Sequence, residues 1–245
     1  METIKKKIAI VQARMGSTRF PGKVLADISG KPALWHLCEN LRHSRLLTTI
    51  ILATTTNSED DALSDFAQSN GVTCFRGSEN DVLERFHGAA LSVDAKDEDI
   101  IVRVTADDMF MDPRVIDALI VLYESMYPSY KFLSNSFTTG FPYGQYYELF
   151  DVSSLEYAHA HATTDEEKEH VTPYMRQNSD TFPAISVASQ GGDFSDVHLS
   201  IDTADDLERN RLIIERLEAE GKAHPYYWQD VVEVYRLLGL TQSHV

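Results

Sequence analysis

The chain has 245 residues, 43% of them hydrophobic, which is enough for one large α/β domain. With 22 Lys and Arg against 38 Asp and Glu the formal charge is -16, which excludes DNA, RNA and anionic membranes as general partners. A phosphate ligand must therefore be met by a local cationic patch or a metal ion. The two cysteines, Cys38 and Cys74, lie in apolar surroundings and read as buried reduced thiols. No apolar run reaches the length of a membrane span, and the charged start Met1 to Lys7 has no signal-type apolar core behind it. The expectation is a soluble, cytoplasmic protein.

An apolar strand, Ile8 to Val11, opens the pattern and stops at Gln12. The loop that follows, Gln12 to Lys23, carries Ala13, Arg14, Gly16, Ser17, Thr18, Arg19, Pro21, Gly22 and Lys23. Few of these side chains are bulky, so a polyanion can approach the backbone N–H groups while the guanidiniums and the ammonium neutralise phosphate charge. The loop reads as a triphosphate cradle built from Gln12, Ala13, Arg14, Gly16, Ser17, Arg19 and Lys23; a Gly/Ser/Pro turn with solvated cations is the plainer alternative.

Helical spacing of Leu34, Leu37, Cys38 and Leu41 follows Lys31-Pro32, and Thr49 to Thr54 reads as a buried strand. Glu59, Asp60 and Asp61 open a helix that buries Leu63, Phe66 and Ala67 and ends at Asn70-Gly71. Val72 to Phe75 is a third strand, and a helix spans Asp81 to Leu91. Between them lie Arg76, Ser78 and Asp81, with Arg85 beyond; these polar groups either read a nucleobase or ribose or simply cap a helix. Asp99 to Val104 is a fourth strand, and Asp112-Pro113 starts a helix carrying Val115, Leu119 and Leu122. Strand and helix alternate with short connections, which predicts a mostly parallel sheet with helices on both faces.

From Tyr130 the rhythm becomes aromatic and punctuated by Gly and Pro. A helix at Ser153 to Ala162, the segment Glu166 to Met175, and two strands (AISVAS and VHLSI) around Gly191-Gly192 are expected. Residues 130–201 read as a β-rich insertion in a single domain, 1–245, covering the acceptor site and offering a dimer surface. Helices return at Thr203 to Leu217, with Thr203 and Asp206 spaced as a capping box, and at Trp228 to Leu240.

Ligands of such sheets lie beyond the carboxyl ends of the strands. Asp107 and Asp108 directly follow the fourth strand, and Asp202 follows the segment LSI. Carboxylates held there suit Mg²⁺, which takes one or two protein carboxylates plus phosphate oxygens and water. Asp107 and Asp202 are the expected metal pair, with Asp108 as the substitute for Asp107 and helix capping as the plainer role for Asp202.

The segments VQARMGSTRFPGKVL, FRGSENDVL, VRVTADDMFMDP, FPYGQYYELF, EKEHVTPY and SIDTADDL, in that order, resemble the cytidylyltransferases that activate acidic sugars. These are the CMP-sialic acid and CMP-Kdo synthetase-like proteins, and the similarity is greatest to the spore-coat polysaccharide biosynthesis cytidylyltransferase-like proteins. The resemblance covers nearly the whole chain. It implies a nucleotide-diphospho-sugar transferase-like α/β fold, a homodimer, CTP and Mg²⁺, and nucleotidyl transfer to an acidic sugar with release of pyrophosphate. It puts the cation loop on Arg14, Ser17, Arg19 and Lys23 and the metal on Asp107 and Asp202. Arg14, Lys23 and Asp107 are then the expected catalytic residues.

Two positions depart from that branch: Asp108-Met109 stands where Cys-Pro is usual, and Tyr146 where an aspartate is usual. Acceptor candidates are Tyr146, Glu148, Glu169, His170 and Tyr174, with His170 the imidazole to test as a base and Glu148 equally suited to pairing with a cation. Tyr143, Tyr146 and Tyr147 suggest either an aromatic pocket or packing. The rival readings are a metal-dependent glycosyltransferase of the same fold, disfavoured by adjacent rather than Asp-x-Asp carboxylates, and a non-catalytic nucleotide-binding subunit.

Overall fold

The structure is a computed structural model that describes residues 5–136 and 140–240. The continuous apolar run of β1 (Lys7–Gln12) is explained by burial on both faces: Ile8 and Ile10 point to one core, Ala9 and Val11 to the other. The remaining strands are β2 (Asp27–Ile28), β3 (Lys31–Pro32), β4 (Thr49–Thr55), β5 (Thr73–Gly77), β6 (Ile100–Thr105), β7 (Phe132–Ser134), β8 (Glu148–Asp151) and β9 (Ala184–Ser186). Seven of the described strands form one sheet in the order β5-β4-β1-β6-β8-β7-β9, and β2 pairs with β3. The β5-β4-β1-β6 part is parallel, whereas β8 runs antiparallel to both β6 and β7. The expected mostly parallel sheet is therefore present, with its reversal inside the insertion.

Helices α1 (Ala33–Arg42), α2 (Asp61–Ser69) and α3 (Val82–Leu91) are the crossovers of the parallel part, and α4 (Pro113–Met126) leads from β6 to β7. After them come α5 (Val152–His161), α6 (Asp165–His170), α7 (Pro173–Gln177), α8 (Ala204–Ala219) and α9 (Trp228–Leu237). One core gathers Leu34 and Leu37 of α1, Leu63 of α2, Ile116 and Ile120 of α4, and Ile213 of α8. The other gathers Phe86 and Ala89 of α3 with Leu155 of α5. Local signals end these helices as their sequences suggest. Asp112 accepts from Arg114 N–H at the start of α4, and Gly71 takes φ 64° after α2. The box at Thr203 and Asp206 forms in both directions.

The insertion differs from expectation at its end. AISVAS supplies only the short β9, and VHLSI forms no strand; Tyr143 makes one isolated bridge to His198. The reason is local. Gly144, at φ 95°, turns the chain away after a single pairing, and a Cβ there would lie 2.7 Å from Ser200 N. The segment Glu166 to Met175 divides into α6 and α7 around Val171. This residue has φ 68° and ψ -52°, and Thr172 N–H donates to His170 O at 2.8 Å, a γ-turn of the rare, strained hand. A β-branched residue holds that backbone because its side chain is fully buried.

Cys38 is buried, which pushes its thiol up to about 12, and Cys74 is half-buried; neither is in a disulfide. Among the described residues no helix is long and apolar enough to cross a membrane.

Candidate active site

β1 delivers the chain to the carboxyl edge of the sheet, and the loop after it is tied down at intervals. Ala13 N–H donates to Ala53 O at 3.2 Å, while Ser17 N–H and Gly22 N–H both donate to Met15 O at 2.9 Å. Met15 N–H in turn donates to Asp60 Oδ1 at 2.7 Å. Asp60 is buried and also accepts from the backbone and hydroxyl of Thr55, at the end of β4. It does not cap α2; it ties the cation loop to the neighbouring strand. Nothing local in the sequence marks that role, because an acidic run before a helix has the same appearance. Gly22, at φ 75°, then swings Lys23 inward.

Asp107 and Asp202 reach the same place from β6 and from the start of α8. The two segments are joined by the backbone, Ile201 N–H donating to Asp107 O at 3.1 Å. Because Thr203 and Asp206 cap α8 themselves, the Asp202 carboxylate is left for other partners. Arg19 Nη2 donates to its Oδ1 at 2.9 Å, and Lys23 Nζ at 3.2 Å. Lys23 Nζ also donates to Asp107 Oδ2 at 2.9 Å and to Ile201 O at 2.5 Å. Burial would lower the Lys23 pKa, yet the Asp107 and Asp202 carboxylates more than offset it, so the net shift is upward. Asp206, beneath this group, pairs with buried Arg209. Burial alone would raise its carboxyl, but the Arg209 and Thr203 hydrogen bonds and the Arg209 charge hold it at about 2.

Around these residues opens a cleft of about 740 Å³ lined by Gln12, Ala13, Arg14, Ser17, Arg19, Lys23, Asp107, Glu169, His170 and Asp202. The structure thus brings most of the expected loop residues, both expected metal residues and, of the expected acceptor residues, Glu169 and His170 to one cavity, with Tyr146, Glu148 and Tyr174 outside its lining. Others lie elsewhere. Gly16 packs against Glu59, an added Cβ falling 2.7 Å from Glu59 Oε1. Arg76 pairs with Asp61 at 2.6 Å and with the carbonyls of Thr55 and Asn57; Ser78 and Asp81 hold the start of α3. From that segment it is Arg85 that lines the cleft, with Glu79 and Asn80. Arg85 is buried, and its Nε, like Gln12 Oε1 in the same cleft, has no hydrogen-bond partner among the described residues. Buried polar atoms left unpaired in a cleft are suited to a polar ligand. Thr105 and Asp165 complete the wall without any signal in the sequence.

Asp108, the substitute for Asp107, is buried and accepts from Thr105 Oγ1 at 2.6 Å; burial and the Asp107 charge raise its carboxyl to about 7. Glu148 is also buried. It accepts from Arg103 at 2.9 Å and from Thr172 Oγ1 at 3.0 Å, holding the γ-turn just after His170. Tyr174 packs against Phe182 outside the cleft. Tyr147 is a core residue, whereas Tyr143 and Tyr146 form an edge-to-face pair at 5.3 Å with both rings partly exposed.

The Asp107 and Asp202 oxygens converge on one cationic atom, so the pair fits a hard divalent ion that completes its shell with phosphate and water. No group of three or more His, Cys, Asp or Glu able to hold a metal occurs among the described residues.

Comparison with known proteins bears on this geometry. The family model described as cytidylyltransferase matches residues 8–220. SpsF, a spore coat polysaccharide biosynthesis protein of Bacillus subtilis, is 30% identical over 84% of this chain and 85% of its own length. A 3-deoxy-manno-octulosonate cytidylyltransferase of Nitratidesulfovibrio vulgaris is 35% identical over 45% of this chain and 43% of its own. A solved cytidylyltransferase from Leptospira borgpetersenii superposes with a TM-score of 0.87 at 29% identity, covering 98% of this chain and 99% of that one. A CMP:2-keto-3-deoxy-manno-octonic acid synthetase, complexed with CTP, shares the fold at a TM-score of 0.61 and 19% identity, over 86% of this chain and 99% of its own. With the family model spanning the parallel sheet and the cleft, the chain belongs to the cytidylyltransferases, CTP-dependent nucleotidyltransferases.

Proposed function

We propose that this enzyme transfers CMP from CTP to an acidic sugar and releases pyrophosphate, in the biosynthesis of a surface polysaccharide. The observation that carries the reading is the meeting of Lys23 with Asp107 and Asp202 in the cleft that also holds Arg14 and Arg19. The names of the relatives support an octulosonate-like acceptor and a polysaccharide end product.

In this reading an acceptor hydroxyl oxygen bonds to the α-phosphorus of CTP as the bond from that phosphorus to the bridging oxygen breaks. Negative charge grows on the departing pyrophosphate, and Arg14, Arg19 and Lys23 offset it from fixed positions. Gln12 and Arg85, with their unpaired polar atoms, face the nucleoside end. Asp107 and Asp202 would hold Mg²⁺, which supplies charge neutralisation and alignment of the phosphates. The acceptor lies toward α6, where His170 is the imidazole available to take the hydroxyl proton. Residues 130–201 belong to the same single domain, supply that wall and, in this proposal, the contact of a homodimer, which sedimentation would test.

The assay is incubation with CTP, Mg²⁺ and a panel of sugar acids, following pyrophosphate. Release that requires a sugar acid supports the reading; CTP binding with no release from any member of the panel refutes it.

A further inference from the structure

An ammonium group has three donors. In Lys23 all three are engaged, by Asp107 Oδ2 at 2.9 Å, Asp202 Oδ1 at 3.2 Å and Ile201 O at 2.5 Å. The side chains concerned are largely withdrawn from water, Lys23 at 11%, Asp202 at 14% and Asp107 at 29% exposure. Arg19 adds a second cation on the same Asp202 oxygen. The two carboxylates are thus already neutralised by the protein's own side chains. A divalent ion bound to both would sit at roughly 2.0–2.1 Å from each oxygen, inside the space the ammonium fills. It would also meet the repulsion of two positive charges in a partly dehydrated pocket.

We infer that Lys23 is a resident counter-ion of the metal site, so that the carboxylate pair accepts a divalent cation only together with a triphosphate. The phosphate oxygens offer the ammonium another anionic partner, and its departure frees the oxygens for the ion. Lys23 thus has two positions, one neutralising carboxylates and one neutralising phosphates, and binding of metal and nucleotide is coupled through it. This inference rests on the proposed magnesium role of Asp107 and Asp202, and it makes the metal site selective for the metal–nucleotide complex over the free ion.

The test uses Mn²⁺ as the probe, its free signal followed by electron paramagnetic resonance, on the full chain. Without nucleotide, wild type should bind Mn²⁺ weakly and Lys23→Gln at least about tenfold more tightly, since removal of one close positive charge leaves two facing carboxylates. Adding Asp107→Asn to Lys23→Gln should abolish the gain. Lys23→Met keeps the aliphatic stem and serves if Lys23→Gln does not fold. Binding by the Lys23 variants no tighter than wild type would overturn the inference, as would a fall in free Mn²⁺ with CTP and wild type together no greater than the sum of the falls with each alone. A separate result would sink the underlying metal reading: CTP-dependent Mn²⁺ binding that survives both Asp107→Asn and Asp202→Asn.

Discussion

Asp60 offers the sharpest test of how the fold serves the cleft. Its carboxylate takes the Met15 N–H at 2.7 Å in a part-buried setting, and the Thr55 N–H at 3.2 Å and the Thr55 hydroxyl in a buried one. Asp60→Ala strands two backbone donors. A buried donor left unpaired costs about 1–3 kcal/mol, so the substitution should cost ~4 kcal/mol in total. For a chain of this size that corresponds to a fall in Tm of about 8–16 °C. The neighbour Asp61, whose side chain is 62% exposed and pairs with Arg76, provides the control, since Asp61→Ala should cost no more than ~1 kcal/mol. Asp60→Asn preserves volume but turns an amide donor toward Met15 or Thr55. Met15 O anchors Ser17 and Gly22, and Gly22 immediately precedes Lys23, so this variant should also weaken CTP binding at temperatures where it remains folded. Calorimetric melting and titration with CTP measure the two effects. Equal melting of Asp60→Ala and Asp61→Ala, or wild-type CTP affinity in Asp60→Asn, would refute the argument.

Arg14→Ala should leave the melting temperature within about 2 °C of wild type, because an exposed loop charge supports little of the core. It should raise the dissociation constant for CTP; unchanged binding would remove Arg14 from the phosphate cradle. Asp206 is held at about 2 against an ordinary 3.8, so its contribution to stability is complete above about pH 4 and is lost as the pH falls toward 2. Acid melts of Asp206→Asn should lack that limb, and an identical acid slope in wild type and variant would contradict the assignment. Glu148→Ala leaves the partly buried Arg103 without its carboxylate and should cost ~3 kcal/mol in urea unfolding, whereas Thr172→Val, losing one hydroxyl bond, should cost ~1 kcal/mol. The reverse order would show that Thr172, rather than the ion pair, secures the turn after His170.

How much of this was legible in the chain itself follows from the range of the forces involved. The apolar runs of β1 and β6, the Asp112 and Thr203 caps and the Gly71 stop depend on neighbours a few residues away, so their letters determine them. Placing the Gln12 to Lys23 loop and Asp107 at one sheet edge needed only the rule that parallel strands end together. The split of Glu166 to Met175 at Val171 and the turning of Asp108 into the interior had no such local cause, and Gly144, which ends the pairing of Tyr143 with His198, shows its positive φ only in the folded chain. Arg76 and Arg85 show the limit plainly: the same segment carries both, and only packing decides that Arg76 turns to Asp61 while Arg85 enters the cleft.

The amino-acid order by itself determined the alternation of strands and helices, the sign and position of the cation loop, and the family to which the chain belongs. Tertiary structure alone decided that Lys23 stands between carboxylates 84 and 179 positions away, and that Asp60 reaches 45 positions back to hold the loop. Hydrogen bonds of 2.7 to 3.2 Å between such distant residues depend on the packed sheet and on the close approach of Asp107 and Ile201, which no local pattern encodes.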